Sequence, residues 1–131
     1  EYGEVRTFAV ERIQKIEVLD QSFEMPTGFN VNEYARGAFG IAGGKAATIE
    51  LLFGAEMASY IRERVWHESQ DVEDRPDGTV LLRMQVAPGF ELQSWIKGFL
   101  PHVEVLQPAS LREQIAADVE SARTRFGRSR R

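Results

Sequence analysis

Between residues 46 and 54 the apolar side chains fall at every second position, Ala47, Ile49, Leu51 and Phe53, against Thr48, Glu50 and Leu52. A period of two places one set of side chains on a single face, so this run must be a strand buried mainly on one side. A half-buried strand needs more strands beside it and a layer over its apolar face. The following residues supply both. Met57, Ala58, Ile61 and Val65 share one side of a helix predicted over residues 55–67, while Glu56, Arg62 and Glu63 share the other. Residues 69–74 are polar and predict an edge strand, on which acids discourage edge-to-edge pairing.

Arg75-Pro76-Asp77-Gly78 then supplies strong turn formers, and Val80, Leu82, Met84 and Val86 face one way along the returning strand. Pro88-Gly89 ends it. Leu92, Trp95, Ile96 and Phe99 recur at the spacing of a core-facing helix bounded by Pro101, and residues 103–106 give a last strand. The order is strand, helix, strand, strand, helix, strand. It predicts an α+β fold, a ferredoxin-like split βαββαβ domain in which helices cover one face of a four-stranded antiparallel sheet.

A C-terminal helix follows. Ser110 and Glu113 are spaced as a capping box, and Leu111, Ile115, Val119, Ala122 and Phe126 form a narrow apolar stripe. The stripe packs on its own domain or on a second subunit. Trp95 is assigned to the core. Trp66, at a helix end, lines either the core or an interface, so Trp66, Leu111, Ile115 and Val119 are the interface candidates.

Upstream, residues 5–19 are rich in Val, Ile, Thr and Phe, with a polar break at Glu11-Arg12, and predict two short strands. Arg6, Phe8 and Val10 would share one face of the first. Ile16 and Val18 alternate with Lys15 and Glu17 in the second. Two strands hold no core alone, so the expectation is a small barrel whose other strands lie upstream of Glu1. The connector that follows carries Pro26, Gly28, Gly37, Gly40, Gly43 and Gly44, with room for a short helix capped by Asn30 and bearing Val31, Tyr34, Ala35 and Ala38 on one side. The expected organisation is barrel strands over residues 1–25, connector over 26–45 and the sheet-and-helix domain over 46–131.

Composition narrows the function. With 131 residues, 43% hydrophobic and 27% charged, the chain has room for one cored domain. It has neither the apolar run of about 20 residues that crosses a bilayer nor a signal peptide, and it lacks cysteine, so a cytoplasmic protein without membrane contact is expected. The net charge of −4 conceals Arg123, Arg125, Arg128, Arg130 and Arg131, a basic tail without evident acidic partners. The acidic remainder makes clamping of duplex DNA by charge a poor reading, and a solvated chain end accounts for the tail.

Catalytic patterns fail in turn. Residues 40–45 suggest a phosphate loop, yet Phe39 stands where its first Gly belongs, Ala46 follows the Lys, and a strand comes next. His67-Glu68 opens like a zinc-protease helix, but Asp71 replaces the second histidine. His102 lies far away at the start of a predicted strand. The serines sit in no nucleophile elbow. No enzyme activity, cofactor or metal is expected.

Two stretches carry a family resemblance. Arg6-Thr7-Phe8-Ala9-Val10-Glu11-Arg12-Ile13 resembles the Arg-x-Phe-x-aliphatic-x-Arg-Ile signature that closes the WYL domain, a small Sm-like β-barrel. The remainder is similar to the WYL C-terminal extension, WCX, through Phe39-Gly40-Ile41, Glu63-Arg64-Val65-Trp66-His67-Glu68-Ser69-Gln70, Asp77-Gly78, Glu91-Leu92-Gln93-Ser94-Trp95-Ile96 and Val103-Glu104-Val105-Leu106-Gln107-Pro108 followed by Leu111-Arg112. That extension is known as a ferredoxin-like domain.

The resemblance implies a bacterial transcriptional regulator, homodimeric, with a DNA-binding helix-turn-helix upstream in the same chain. Its barrel would sense a single-stranded nucleic acid or an anionic small molecule, contacted by Arg6 and Arg12. Forked guanidinium donors suit phosphate, and Phe8 offers a face for a base. The alternative to ligand contact is that either arginine makes a structural ion pair. The rival function is a stand-alone small-molecule-binding domain of ferredoxin-like fold with no transcriptional role.

Overall fold

The computed structural model describes residues 5, 6, 8, 10–40 and 44–128. Its centre is a four-stranded antiparallel sheet built from β1 (Ala47–Phe53), β2 (Asp71–Asp74), β3 (Val80–Val86) and β4 (Val103–Gln107), in the spatial order β2-β3-β1-β4. The apolar strands take the middle places and the polar β2 takes an edge, as burial requires. Among the described residues four α-helices accompany the sheet: α1 (Val31–Arg36), α2 (Ala58–Arg62), α3 (Phe90–Lys97) and α4 (Ala109–Gly127). Helix α2 follows β1 through a 3-10 turn, Ala55–Met57, and α3 joins β3 to β4.

Register follows the alternation. Ile49, Leu51 and Phe53 stand opposite Met84, Leu82 and Val80, and all six are almost wholly buried on one face. Ile61 of α2, Leu92 and Ile96 of α3, and Leu111 and Ile115 of α4 close the same cluster. Each large side chain taken from water contributes about 1.5–3 kcal/mol, so this layer dominates the stability of the sheet domain. The other face carries charge. Arg83 reaches Glu50 at 3.0 Å, Asp71 at 3.2 Å and Glu73 at 2.8 Å, and these partners, Glu73 foremost, hold its guanidinium more firmly protonated than usual. Leu81, buried on that face, stands between its cross-strand neighbours Leu52 and Glu73.

The hairpin turn forms where the Pro and Asp-Gly signals put it. The Asp77 carboxylate accepts from the Thr79 hydroxyl at 2.6 Å and its backbone N–H at 2.9 Å, and Gly78 takes φ +86°, a conformation that side chains with a Cβ rarely adopt.

Three local expectations need correction. The helix predicted over residues 55–67 ends at Arg62, because its free carbonyls are captured by side chains. The Ile61 carbonyl accepts from the Trp66 indole at 3.1 Å, the Tyr60 carbonyl accepts from the Arg64 guanidinium at 3.1 Å, and Gln70 donates to the Arg64 carbonyl at 3.0 Å. Trp66 therefore sits in the loop after α2. The capping box also fails, since α4 begins at Ala109 and leaves Ser110 inside the first turn. Pro108 holds the cap position in extended backbone with no side-chain cap bond. The C-terminal arginines are not all without acidic partners either. Arg123 lies on α4 and pairs with Glu120 at 2.7 Å.

The strands expected over residues 5–19 do not form among the described residues. Only a 3-10 turn, Val10–Arg12, interrupts an irregular segment, closed by a bond of 3.1 Å from Ile13 N–H to the Val10 carbonyl. Phe8 is 78% exposed and Val18 92%. A strand is held by a neighbour's ladder, and nothing described here pairs with this segment, so its β-forming composition has no structure to act on.

The connector has more order than its glycines suggest. Asn30 caps α1 through its side-chain oxygen, which accepts from Asn32 N–H at 3.0 Å and Glu33 N–H at 3.3 Å. Past the helix, Gly37 and Ala38 are buried, whereas residues 12–28 are exposed throughout. The apolar side expected for α1 is used only in part, since Val31 and Ala35 remain exposed.

Candidate functional site

Arg6, Phe8 and Arg12 lie close together in sequence, and all three are exposed. Arg12 closes the 3-10 turn. No strand among the described residues sets Arg6 and Phe8 on one face. What the segment presents is two guanidinium groups and an aromatic ring to solvent, donors and a stacking surface of the kind that phosphate and bases engage. Thr7 and Ala9, which complete the Arg-x-Phe-x-aliphatic motif, fall outside the described residues.

A second constellation forms where the connector meets the sheet domain. The ring of His67 is bound at both nitrogens. Nδ1 accepts from the Ser69 N–H at 3.1 Å and lies 2.7 Å from the Ser69 hydroxyl, so the proton sits on Nε2, which donates to the Arg36 carbonyl at 2.9 Å. Ser69 is itself fixed, its hydroxyl oxygen accepting from the Gln85 N–H at 2.9 Å. One residue on, the Gly37 carbonyl accepts from Ala87 N–H at 2.8 Å. A cleft of about 330 Å³ opens beside these bonds, lined among others by Glu33, Arg36, His67, Glu68 and Gln85. Neither His67 nor Arg36 shows this pairing in the sequence, because 31 positions separate them and no periodicity links them.

An aromatic cluster lies under the same connector. Trp66 and Trp95 are 5.0 Å apart between ring centroids, Trp95 and Phe99 4.9 Å, and Phe39 adds its ring at 5.0 Å from Trp95. Both tryptophans are half-buried, so the core expected around Trp95 is one that Phe39 helps to close. Tyr60 extends the cluster to the surface, 5.6 Å from Trp66, with the Arg64 guanidinium 3.6 Å above its ring. Tyr60 and Arg64 were not singled out from sequence. A tyrosine four residues before an arginine, within a stretch whose spacing predicts a helix, is the signal that points to them.

Of the remaining interface candidates, Leu111 and Ile115 are buried in the chain's own core. The stripe continues outward through Val119, 43% exposed, and Phe126, 91% exposed. Helix α4 is held to α3 by Lys97, whose ammonium lies 2.7 Å from Asp118 and keeps that carboxyl below its ordinary range.

Elsewhere, Glu56 and His102 form a surface pair beside a cleft of about 220 Å³ that includes Leu52, Gly54 and Thr79. The Glu56 carboxyl is held low, first by a hydrogen bond from its own backbone and then by His102. Among the described residues no group of three or more His, Asp or Glu side chains is placed to hold a metal ion, and no helix is long and apolar enough to cross a membrane.

None of the curated proteins matches the chain. The sequence model of one family, described as the WCX domain, matches residues 45–123. These residues hold the whole sheet, α2, α3 and most of α4, which is more than half of the chain. The chain therefore belongs to the WCX domain family, the C-terminal extension associated with WYL-type regulators.

Proposed function

We propose that this chain is the effector-sensing and dimerisation region of a bacterial helix-turn-helix regulator, non-catalytic and cytoplasmic. The upstream part of the same chain would read DNA. The observation that carries the reading is the WCX match over residues 45–123, which follows, across the connector, a segment that exposes Arg6, Phe8 and Arg12. In this reading that segment completes an Sm-like barrel whose cations and ring take a single-stranded nucleic acid or another anionic ligand. The β2-β3-β1-β4 order, with α2 and α3 as its connections, supports a ferredoxin-like split βαββαβ domain. Effector binding would then shift how the domains sit, and with them the DNA readers.

A fluorescence titration with a short single-stranded oligonucleotide tests the sensing half. Arg6→Ala and Arg12→Ala should each weaken binding and lower the salt dependence by about one phosphate contact. Affinity unchanged in both variants removes the arginine assignment.

The cleft beside His67 favours a second reading, a small-molecule-binding domain with no transcriptional role. The gene separates the two, since a helix-turn-helix encoded upstream of Glu1 supports the regulator and its absence supports the binding domain.

A further inference from the structure

We infer that residues 30–40 form a strap that travels with the sheet, clasped by His67, so that the chain's pivot towards its N-terminal segment lies before Asn30. Four tethers act within four consecutive residues. The Arg36 carbonyl takes the His67 Nε2–H, the Gly37 carbonyl takes the Ala87 N–H, Ala38 is buried, and Phe39 packs on Trp95. The glycines serve close approach. A Cβ on Gly37 would meet the Gly44 carbonyl oxygen at 3.1 Å, and one on Gly44 would meet the Ala87 Cβ at 3.1 Å.

His67 suits a clasp because its ring is held from both sides. Ser69 and, through it, the β3 backbone at Gln85 fix the imidazole, which leaves Nε2–H aimed at one carbonyl of the strap. Residues 12–28, by contrast, are exposed along their whole length and lie outside this docking. The strap transmits position. A pull delivered at Asn30 reaches the sheet through Asn30–Phe39 as a unit, and opening the clasp would decouple the strap from the sheet. The strap stands on its own contacts, and only its use in signalling rests on the regulator reading.

Amide hydrogen exchange on the 131-residue chain tests it, with the Ala87 amide reporting strap contact and the Leu82 and Met84 amides reporting the sheet. Ala87 should be protected in the wild type. His67→Ala and Phe39→Ala should each speed its exchange about five- to tenfold while Leu82 and Met84 keep theirs. His67→Gln, which keeps a donor in reach of the Arg36 carbonyl, should restore most of the protection. If His67→Ala speeds exchange at all three amides, His67→Gln and Phe39→Ala decide the matter. Fast exchange at Ala87 in the wild type, or no change in any variant, overturns the strap. Oligonucleotide affinity does not enter this readout, so loss of the effector assignment would leave it intact.

Discussion

The Phe39 ring lies 5.0 Å from the Trp95 ring, centroid to centroid, and this contact joins a residue before the sheet domain to the aromatic cluster under it. Phe39 is only half-buried, so Phe39→Ala should cost about 1–2 kcal/mol, less than a core phenylalanine. Denaturant unfolding measures it. Tryptophan emission of the folded variant should shift to the red as Trp95 gains water.

Gly37 is buried where the strap lies against the sheet domain. Gly37→Val should destabilise the protein by about 1–3 kcal/mol, because the added carbons meet the Gly44 carbonyl oxygen and the Ala46 Cβ. Thermal unfolding of the variant beside Gly28→Val, whose added Cβ meets open space, separates crowding from backbone strain.

Helix α4 should divide into two halves. Leu111→Ala removes a buried core side chain and should cost about 2–4 kcal/mol. Phe126→Ala, at 91% exposure, should change the stability of the monomer by less than about 0.5 kcal/mol. Equal costs in chemical denaturation would show that the outer half of α4 packs on the chain.

Acid should weaken two contacts. Thr79 holds the Asp77 carboxyl below its ordinary range through its hydroxyl and backbone N–H, and Lys97 does the same for Asp118. A lowered carboxyl adds stability at pH above its unfolded value, and that stability is lost as the pH falls through the carboxylate range. Asp77→Asn and Asp118→Asn should each flatten the acid limb of stability against pH. An unaltered limb in both would show that neither carboxylate contributes.

The sequence made the sheet legible because period two in Ile49, Leu51 and Phe53 and in Leu82, Met84 and Val86 admits one buried face and one register. Helix α2 was read too long because apolar spacing says nothing of an indole reaching back to the Ile61 carbonyl. Composition predicts strands over residues 5–19, yet a strand forms only against a neighbour, and among the described residues none pairs with this segment. The site divides in the same way. Arg6, Phe8 and Arg12 came from a motif, whereas His67 and Arg36 meet only through the fold.

Sedimentation equilibrium tests the central proposal most directly, that this chain serves to bring two copies of a regulator together. Over a range up to about 100 µM the wild type should form a dimer, and Val119→Asp with Phe126→Asp should return it to monomer without unfolding it. A wild type that stays monomeric at the highest concentration would contradict the assembly role.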